Sequence, residues 1–211
     1  IGIGIASVFN DMDKLLVLGD FEYAGNKRLN SIGYWTGKDW QNLGTGIIGG
    51  AGYTYTGTPR IFSGANGLTN FSRIGTTMYI GGTFEQLGAL PCENIAPYNE
   101  GNSECLGGGL SQSRAGSSSS YIFPASVRAM KSKDKYLYAA GDFTRAGSLP
   151  VQSIAQWDGT SWTDMGGGIS GGSTSRFILA EDSSHRLILA GNFYQAGTVA
   201  CNGLASWDGK E

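Results

Sequence analysis

Short apolar stretches alternate with glycine-rich turns along the chain, and one combination of them recurs. Its clearest copy begins with the apolar stretch 137–140, passes through Gly141-Asp142-Phe143, and continues into alternating apolar and polar residues. Alternation of this kind between glycine and aspartate clusters predicts β-strands joined by tight turns. Residues 153–169 are therefore predicted to form a hairpin that turns at Asp158-Gly159, a pair suited to the positive φ angles of tight turns.

A Gly-x-Phe signature at the end of an apolar strand sets the register of the copies. The copies are roughly 50 to 60 residues apart, which is close to the roughly 40 to 50 residues of a four-stranded propeller blade once insertions are added. The sequence therefore predicts one structural unit that is repeated along the chain. The signature phenylalanines are Phe21, Phe84, Phe143 and Phe193.

The repeat predicts an all-β fold: a β-propeller of four-stranded antiparallel blades, of which this chain holds about four repeat units, the last one incomplete. Because the sequence does not open with methionine, we expect it to begin inside a longer or processed polypeptide. The predicted boundaries are the last strand of a preceding or closing blade at 1–13, blade 1 at 14–77, blade 2 at 78–135, blade 3 at 136–186 and incomplete blade 4 at 187–211.

Aromatic residues recur at fixed repeat positions and are predicted to pack between neighbouring blades. The signature phenylalanine supplies apolar bulk, and the glycines before it let strands approach each other closely. The alternative is that the tryptophans contact a ligand, which would leave them exposed together in one groove. The second aromatic layer is formed by Trp35, Tyr98, Trp157 and Trp207.

Composition fits a packed domain and narrows the classes of partner. The 211 residues are 40% hydrophobic and 15% charged, with 35 glycines, which is enough apolar material for a core and too few charges for disorder. A net charge of -2 provides no electrostatic attraction to nucleic acid. No apolar run approaches the roughly 18 residues that a membrane helix needs. We therefore expect neither a nucleic-acid partner nor membrane contact by this segment.

The copies together read Gly-(Asp/Thr/Asn)-Phe, Ala/Leu-Gly, Ile-Ala-x-Trp/Tyr, Asp-Gly, Trp and Leu/Met-Gly-x-Gly. This pattern resembles the kelch-like propeller repeats of fungal cortical polarity-marker (bud-site-selection) proteins, and related repeats in secreted or surface proteins of microbial eukaryotes and bacteria. The resemblance covers nearly the whole chain outside two insertions. It implies an extracellular or lumenal propeller region on a surface protein, but it assigns no activity, because propellers host unrelated functions.

The cysteines bear on the cellular compartment. Cys92 and Cys105 bracket a predicted hairpin, so a disulfide between neighbouring strands is expected, and it would indicate an oxidising compartment. Buried free thiols and metal ligation are the alternatives. Cys201 occupies the same repeat position as Cys92. Its partner is therefore expected at about position 214, in an intact protein that continues past Glu211.

No catalytic, cofactor or metal site is predicted. The single histidine, His185, lies in a polar turn without neighbours suited to acid–base chemistry. The signature residues Asp20, Asp142 and Asn192 offer oxygen ligands for a cation at a ring centre, but hydrogen bonds to nearby backbone explain them more simply. Asn70-Phe71-Ser72 is a glycosylation sequon, which makes Asn70 the candidate acceptor.

Two insertions, at 49–67 and 111–120, are expected to be surface loops or else contact surfaces. Tyr53 and Tyr55 are the interaction-loop candidates, because tyrosine supplies a large contact area at low entropic cost. The predicted function is that of a non-enzymatic extracellular or cell-surface propeller, acting as a protein-interaction scaffold, adhesive or structural module. Its expected partners are other proteins or further blades of the same polypeptide, with glycans as a second class. The alternative function is a carbohydrate-binding or carbohydrate-active propeller.

Overall fold

The computed structural model describes residues 4–11, 13–48, 70–98, 104–112 and 125–210. These residues form β-strands and turns, and no helix occurs among them. All strand pairs are antiparallel. The prediction of an all-β protein is confirmed.

The strands fall into four successive groups, which we call units 1 to 4. Unit 1 consists of β1 (Gly4–Asp11), β2 (Lys14–Asp20), β3 (Tyr23–Ala24), β4 (Lys27–Arg28), β5 (Ile32–Trp35), β6 (Trp40–Asn42) and β7 (Ile47–Ile48). Unit 2 consists of β8 (Asn70–Ile74), β9 (Thr77–Gly81), β10 (Gln86–Leu87), β11 (Ile95–Tyr98) and β12 (Leu110–Ser111).

Units 3 and 4 repeat the same order of long and very short strands. Unit 3 consists of β13 (Ser126–Lys133), β14 (Tyr136–Asp142), β15 (Arg145–Ala146), β16 (Leu149–Pro150), β17 (Ile154–Trp157), β18 (Trp162–Asp164) and β19 (Ile169–Ser170). Unit 4 consists of β20 (Ser173–Glu181), β21 (Leu187–Asn192), β22 (Gln195–Ala196), β23 (Val199–Ala200) and β24 (Leu204–Trp207).

Each unit contains one main sheet in which the signature strand lies second. The strand orders are β1-β2-β5-β6, β8-β9-β11, β13-β14-β17-β18 and β20-β21-β24. The third strand carries the second aromatic layer. In unit 3, for example, Leu137 of β14 lies opposite Trp157 of β17. The predicted relation between the phenylalanine strand and the tryptophan strand therefore holds in every unit.

The sheets begin one strand earlier than the predicted boundaries. Strands β1, β8, β13 and β20 each pair with the signature strand that follows, whereas the division at 1–13, 14–77, 78–135, 136–186 and 187–211 assigned them to the preceding unit. The connecting turns are short, and β8 and β9 are separated only by residues 75–76. A chain that reverses within two residues pairs with itself in an antiparallel hairpin.

The hairpin at 153–169 is present, but its turn differs from the predicted one. Trp157 and Trp162 are paired across the strands, so the connection is four residues long. Gly159 has a φ of +105°. The Asp158 carboxylate accepts hydrogen bonds from the backbone N–H groups of Thr160 and Ser161, both at 2.8 Å. This side-chain-capped turn replaces a two-residue primed turn, because aspartate can satisfy the turn donors itself.

The hydrophobic cores of the described residues lie between consecutive units. Each of three clusters takes its buried side chains from two neighbouring units: 1 and 2, 2 and 3, or 3 and 4. Phe84, Phe143 and Phe193 each lie in the cluster shared with the preceding unit and are almost fully buried. Phe21, whose unit has no predecessor among the described residues, is only half-buried. A unit therefore completes its core with the next unit.

Short strands also join consecutive units. β7 pairs with β10, β12 with β15, and β19 with β22. In each case the glycine four residues after the signature phenylalanine donates its N–H to a glycine carbonyl of the preceding unit. We call this repeated contact the inter-unit joint. Its hydrogen bonds are Gly88 to Gly46 at 2.7 Å, Gly147 to Gly109 at 2.8 Å and Gly197 to Gly168 at 2.8 Å.

Candidate functional site

The signature aspartate of unit 3 forms an ion pair. Arg128 on β13 donates to one oxygen of Asp142 from Nε at 3.0 Å and from an Nη at 2.8 Å. Both side chains are largely buried. Burial raises the pKa of Asp142 above its ordinary value, and the hydrogen bonds and charge of Arg128 partly offset that effect. The pair connects the first two strands of its sheet at the position predicted to offer a cation ligand.

The other signature residues differ in their surroundings. In unit 2 the position holds Thr83, whose hydroxyl donates to Ser126 Oγ at 2.8 Å, which connects units 2 and 3. Asn192 is exposed, and the Asp20 side chain lies outside the described part of the structure. Among the described residues, no group of three or more His, Cys, Asp or Glu side chains has the geometry to hold a metal ion.

The tryptophans of the second aromatic layer lie in different units and have different surroundings. Trp157 is buried in the core between units 2 and 3 and contacts Trp162 in a tilted arrangement, with the ring centroids 5.2 Å apart. Trp207 packs against the core between units 3 and 4. Trp35 is half-buried and contacts Trp40 within unit 1 in a tilted arrangement, with the ring centroids 5.4 Å apart. The three tryptophans do not share one groove, which was the requirement of the ligand-binding alternative.

A second indole group connects units 2 and 3 by a hydrogen bond. Trp162 Nε1 donates to the carbonyl oxygen of Leu106 at 2.7 Å, and both residues are buried. A buried donor with a partner avoids the desolvation penalty of an unpaired polar group. The Trp157–Trp162 pair therefore has both an apolar and a polar contact with the preceding unit, and its role is structural.

The structure contains the Cys92–Cys105 disulfide that the hairpin suggested, with an S–S distance of 1.99 Å and a Cα–Cα distance of 5.4 Å. Cys92 is fully buried in the core between units 1 and 2. Cys201 is a half-buried free thiol at the same repeat position, which Leu29 and Val151 also occupy as buried residues. A partner for Cys201 at about position 214 stays a prediction.

Asn70 lies at the start of β8, where its side chain contacts the next unit. Its Nδ2 donates to the carbonyl oxygen of Arg128 on β13 at 2.9 Å, and the residue is half-buried. Glycosylation uses this same nitrogen, so in the folded protein the acceptor atom lies against unit 3. Glycosylation at Asn70 stays a prediction.

The remaining predicted site residues lie in turns or outside the described residues. The imidazole Nδ1 of His185 is 2.7 Å from a carboxylate oxygen of Glu181 in the turn between β20 and β21, and the imidazole is highly exposed. It has the open, solvated surroundings that the sequence indicated. Tyr53 and Tyr55, the interaction-loop candidates, lie outside the described residues, as does most of the insertion at 111–120.

The inter-unit joint was not predicted from the sequence, although its signal is present there. Glycine occurs four residues after every signature phenylalanine. At Gly147 an added Cβ would overlap the carbonyl oxygen of Gly107 in the preceding unit. The recurrence of glycine at a position where two backbones meet identifies such a contact.

Comparison of the sequence with protein-family models finds no match, and comparison with curated proteins finds none either. Among the described residues there is no helix long and apolar enough to cross a membrane.

Proposed function

We propose that the four units are consecutive blades of a kelch-like β-propeller, and that this segment is a non-enzymatic scaffold, adhesive or structural module outside the cell or at its surface. The observation that carries this proposal is that the recurrent aromatic side chains of the signature are buried inside the protein. Phe84, Phe143 and Phe193 are almost fully buried between units, so these repeated aromatic residues pack neighbouring units against each other. The specificity of partner binding is then determined by the loops that vary between units.

The neighbours of the first strands support the propeller arrangement. β13, the first strand of its sheet, lies against β8 on one side and β20 on the other. In a propeller, the innermost strands of successive blades are neighbours around the central channel. In the proposed propeller, the first strand of each sheet is the inner strand, and the signature strand is the second.

The disulfide supports the extracellular or cell-surface location. Disulfides persist in secreted proteins and in the secretory pathway, whereas cytosolic reductants keep thiols reduced. The Cys92–Cys105 bond joins the segments on either side of β11, next to the core between units 1 and 2. The decisive measurement is mass mapping of the cysteines in protein isolated without reduction from its own cells. We expect the peptides of Cys92 and Cys105 to be linked, and alkylated free thiols at both positions would contradict the location.

The partners in this proposal are other proteins, which contact the insertion that carries Tyr53 and Tyr55. Tyrosine provides a rigid aromatic surface with a polar end and little rotamer entropy to lose, properties that suit a contact loop. We therefore expect a variant with Tyr53→Ser and Tyr55→Ser to keep the stability of the wild type and to lose binding.

The binding test uses fluorescently labelled chain added to intact cells of the source organism. We expect saturable surface staining that disappears after protease treatment of the cells and persists after glycosidase treatment. The tyrosine double variant is expected to stain at least about tenfold more weakly, since two aromatic contacts commonly contribute more than 1.4 kcal/mol. Thr163→Asp, a change at an exposed position of β18, is the control. Absence of saturable staining would contradict the interaction role.

One observation favours the second candidate, a carbohydrate-binding propeller. Trp35 and Trp40 form a tilted ring pair on the first unit and are both half-buried, and exposed aromatic faces suit sugar rings. A glycan array with wild type and Trp35→Ala separates the two functions. The scaffold proposal predicts no glycan signal above background. A signal that is lost in Trp35→Ala without a change in melting temperature would replace the scaffold function with carbohydrate binding.

A further inference from the structure

The glycine turns that form the inter-unit joints are held by different side chains in different units. In unit 3 the carboxylate of Asp164 accepts a hydrogen bond from the N–H of Gly167 at 2.8 Å. In unit 1 the same position holds Asn42, whose Nδ2 donates to the carbonyl oxygen of Gly44 at 3.2 Å. Aspartate and asparagine commonly hold turns through such local hydrogen bonds. Each of these two joint turns is therefore fixed by a polar side chain of its own unit.

Unit 2 has a cysteine at this position. Cys105 lies four residues before the glycine whose carbonyl oxygen forms the next joint, as Asn42 and Asp164 do. A sulfur atom is a weak hydrogen-bonding group and is a poor substitute for a carboxylate or an amide. Cys105 is instead bonded to Cys92, which is fully buried in the core between units 1 and 2. The disulfide thus takes the place of the hydrogen bond that holds the turn.

The turn that follows the disulfide is the surface on which unit 3 lies. The carbonyl oxygen of Leu106 accepts the hydrogen bond from Trp162 Nε1 at 2.7 Å. The carbonyl oxygen of Gly109 accepts the hydrogen bond from the N–H of Gly147 at 2.8 Å. An added Cβ at Gly107 would lie 3.2 Å from the ring of Trp162. Three contacts between units 2 and 3 therefore depend on the position of this one turn.

We propose that the Cys92–Cys105 disulfide is a redox-sensitive clamp on the joint between units 2 and 3. While the bond is intact, the turn is held against the core between units 1 and 2, and unit 3 packs on it. Reduction releases the turn, so that Trp162 and Gly147 lose their fixed partners in unit 2. The joint between units 3 and 4 keeps the hydrogen bond of Asp164 and is not released. The clamp uses only contacts within the chain, so it does not depend on the location or the partners of the proposed function.

The reduction is a thiol–disulfide exchange with a dithiol. Cys92 is fully buried and Cys105 is half-buried, so a thiolate of the dithiol attacks Sγ of Cys105. A bond forms between these two sulfurs, the bond to Cys92 breaks, and Cys92 leaves as a thiolate that takes up a proton. The second thiolate of the dithiol then attacks the first sulfur of the same molecule and displaces Cys105, which is protonated in turn. The dithiol loses two electrons and becomes a disulfide, and the protein gains them as two thiols.

Amide exchange measured by NMR on the intact 211-residue chain, before and after treatment with dithiothreitol, tests the proposal. The N–H of Gly147 reports on the joint between units 2 and 3. The N–H of Gly197, which donates to Gly168 at 2.8 Å, reports on the joint between units 3 and 4 in the same molecule. Reduction is expected to accelerate exchange at Gly147 at least about tenfold. Exchange at Gly197 is expected to change less than about twofold.

Two variants separate the loss of the disulfide from the loss of the fixed turn. Cys92→Val/Cys105→Asp copies the residues that unit 3 has at both positions, Val151 and Asp164. Its new carboxylate is expected to hold the turn, so that Gly147 exchanges slowly with and without dithiothreitol. Cys92→Val/Cys105→Ala lacks both the disulfide and a polar side chain. Its exchange at Gly147 is expected to be at least about tenfold faster than in the aspartate variant.

Three results would overturn the proposal. Equal acceleration at Gly147 and Gly197 would show that the disulfide stabilises the whole chain and not one joint. Exchange at Gly147 that reduction leaves unchanged would show that the turn needs no clamp. An aspartate variant that is unfolded by circular dichroism, or that exchanges at Gly147 as fast as the alanine variant, would show that holding the turn is not the role of the disulfide. If reduced wild type unfolds, the two variants decide the question, because neither contains the disulfide. Surface staining by the oxidised chain tests the proposed function separately.

Discussion

The glycines four residues after the signature phenylalanines share one backbone conformation but have different neighbours. Gly25 and Gly147 lie at the same repeat position, with φ angles of +60° and +56°. An added Cβ would meet no atom within 4 Å at Gly25, whereas at Gly147 it would overlap Gly107 of the preceding unit. Glycine is therefore needed at Gly25 for its φ angle alone, and at Gly147 for both its φ angle and the close approach of two units.

Replacing each of these glycines by alanine separates the two requirements. Gly25→Ala is expected to lower the free energy of unfolding by about 1 to 2 kcal/mol, the cost of a left-handed alanine. Gly147→Ala is expected to cost at least about 2 kcal/mol more, because the backbones of units 2 and 3 must separate. Urea unfolding followed by circular dichroism measures both values. Equal losses for the two variants would show that the joint does not contribute to stability.

Asp158 provides a prediction that depends on pH. Hydrogen bonds from the backbone of Ser161 and Thr160, and from their hydroxyl groups, hold the pKa of its carboxyl well below the ordinary value. A carboxyl whose pKa is lower in the folded state stabilises the fold above its unfolded pKa, and this contribution is lost as the pH falls through the folded pKa. The wild type is therefore expected to exceed Asp158→Asn in urea midpoint by a constant amount above about pH 5.

That difference is expected to shrink steadily as the solution is acidified below about pH 4. The other carboxyl groups titrate in both proteins, so they cancel in the comparison. A difference in urea midpoint that is the same at pH 7 and in acid would show that the carboxylate charge of Asp158 does not stabilise the turn.

At the scale of strands and turns, the sequence predicted the features that depend on neighbouring residues or that recur in every repeat. The hairpin around Asp158 and the Cys92–Cys105 pairing were both predictable, because each depends on residues close together in the chain. The partner of each first strand was not, because the residue pattern of a short strand such as β8 does not indicate which of two neighbouring sheets the strand joins. The two-residue connection 75–76 determines the partner of β8, because it forces the chain to reverse direction directly into β9. The joint strands were missed because two-residue strands have no periodicity to detect.

The disulfide gives a prediction at this scale. It closes a loop with a sequence separation of 13, and chain entropy predicts a contribution of about 3 kcal/mol to the free energy of unfolding. Urea unfolding of Cys92→Ala/Cys105→Ala is expected to show about that loss. Cys201→Ala removes a half-buried thiol without breaking a bond, and it is expected to cost less than about 1.5 kcal/mol. A similar loss in the double and single variants would indicate that only side-chain packing matters.

For the whole molecule, internal repetition predicted the packing better than composition did. Phenylalanine at one position in four copies indicated a shared core, and Phe84, Phe143 and Phe193 are buried between units. The exposure of Leu15 and Leu204 at the two ends was not predictable from the residues, because the same residue types are buried in the inner units. Their exposure depends on which units have neighbours, a property of the stack as a whole.

The central claim is that each core is shared by two consecutive units, and hydrogen–deuterium exchange of Phe143→Ala tests it most directly. Phe143 belongs to unit 3 but lies in a core with Ile95 and Leu110 of unit 2. Loss of a buried phenylalanine costs about 3 to 5 kcal/mol. We predict faster amide exchange in β9 and β11 of unit 2 as well as in β14 and β17 of unit 3.

The matched control is Phe21→Ala, at the same repeat position in a unit without a described predecessor, where faster exchange is expected within unit 1 alone. If exchange in Phe143→Ala accelerates across both unit 2 and unit 3, the units stabilise each other through a shared core. If the acceleration is confined to β14 and β17, each sheet is stable by itself and the stacking account is contradicted.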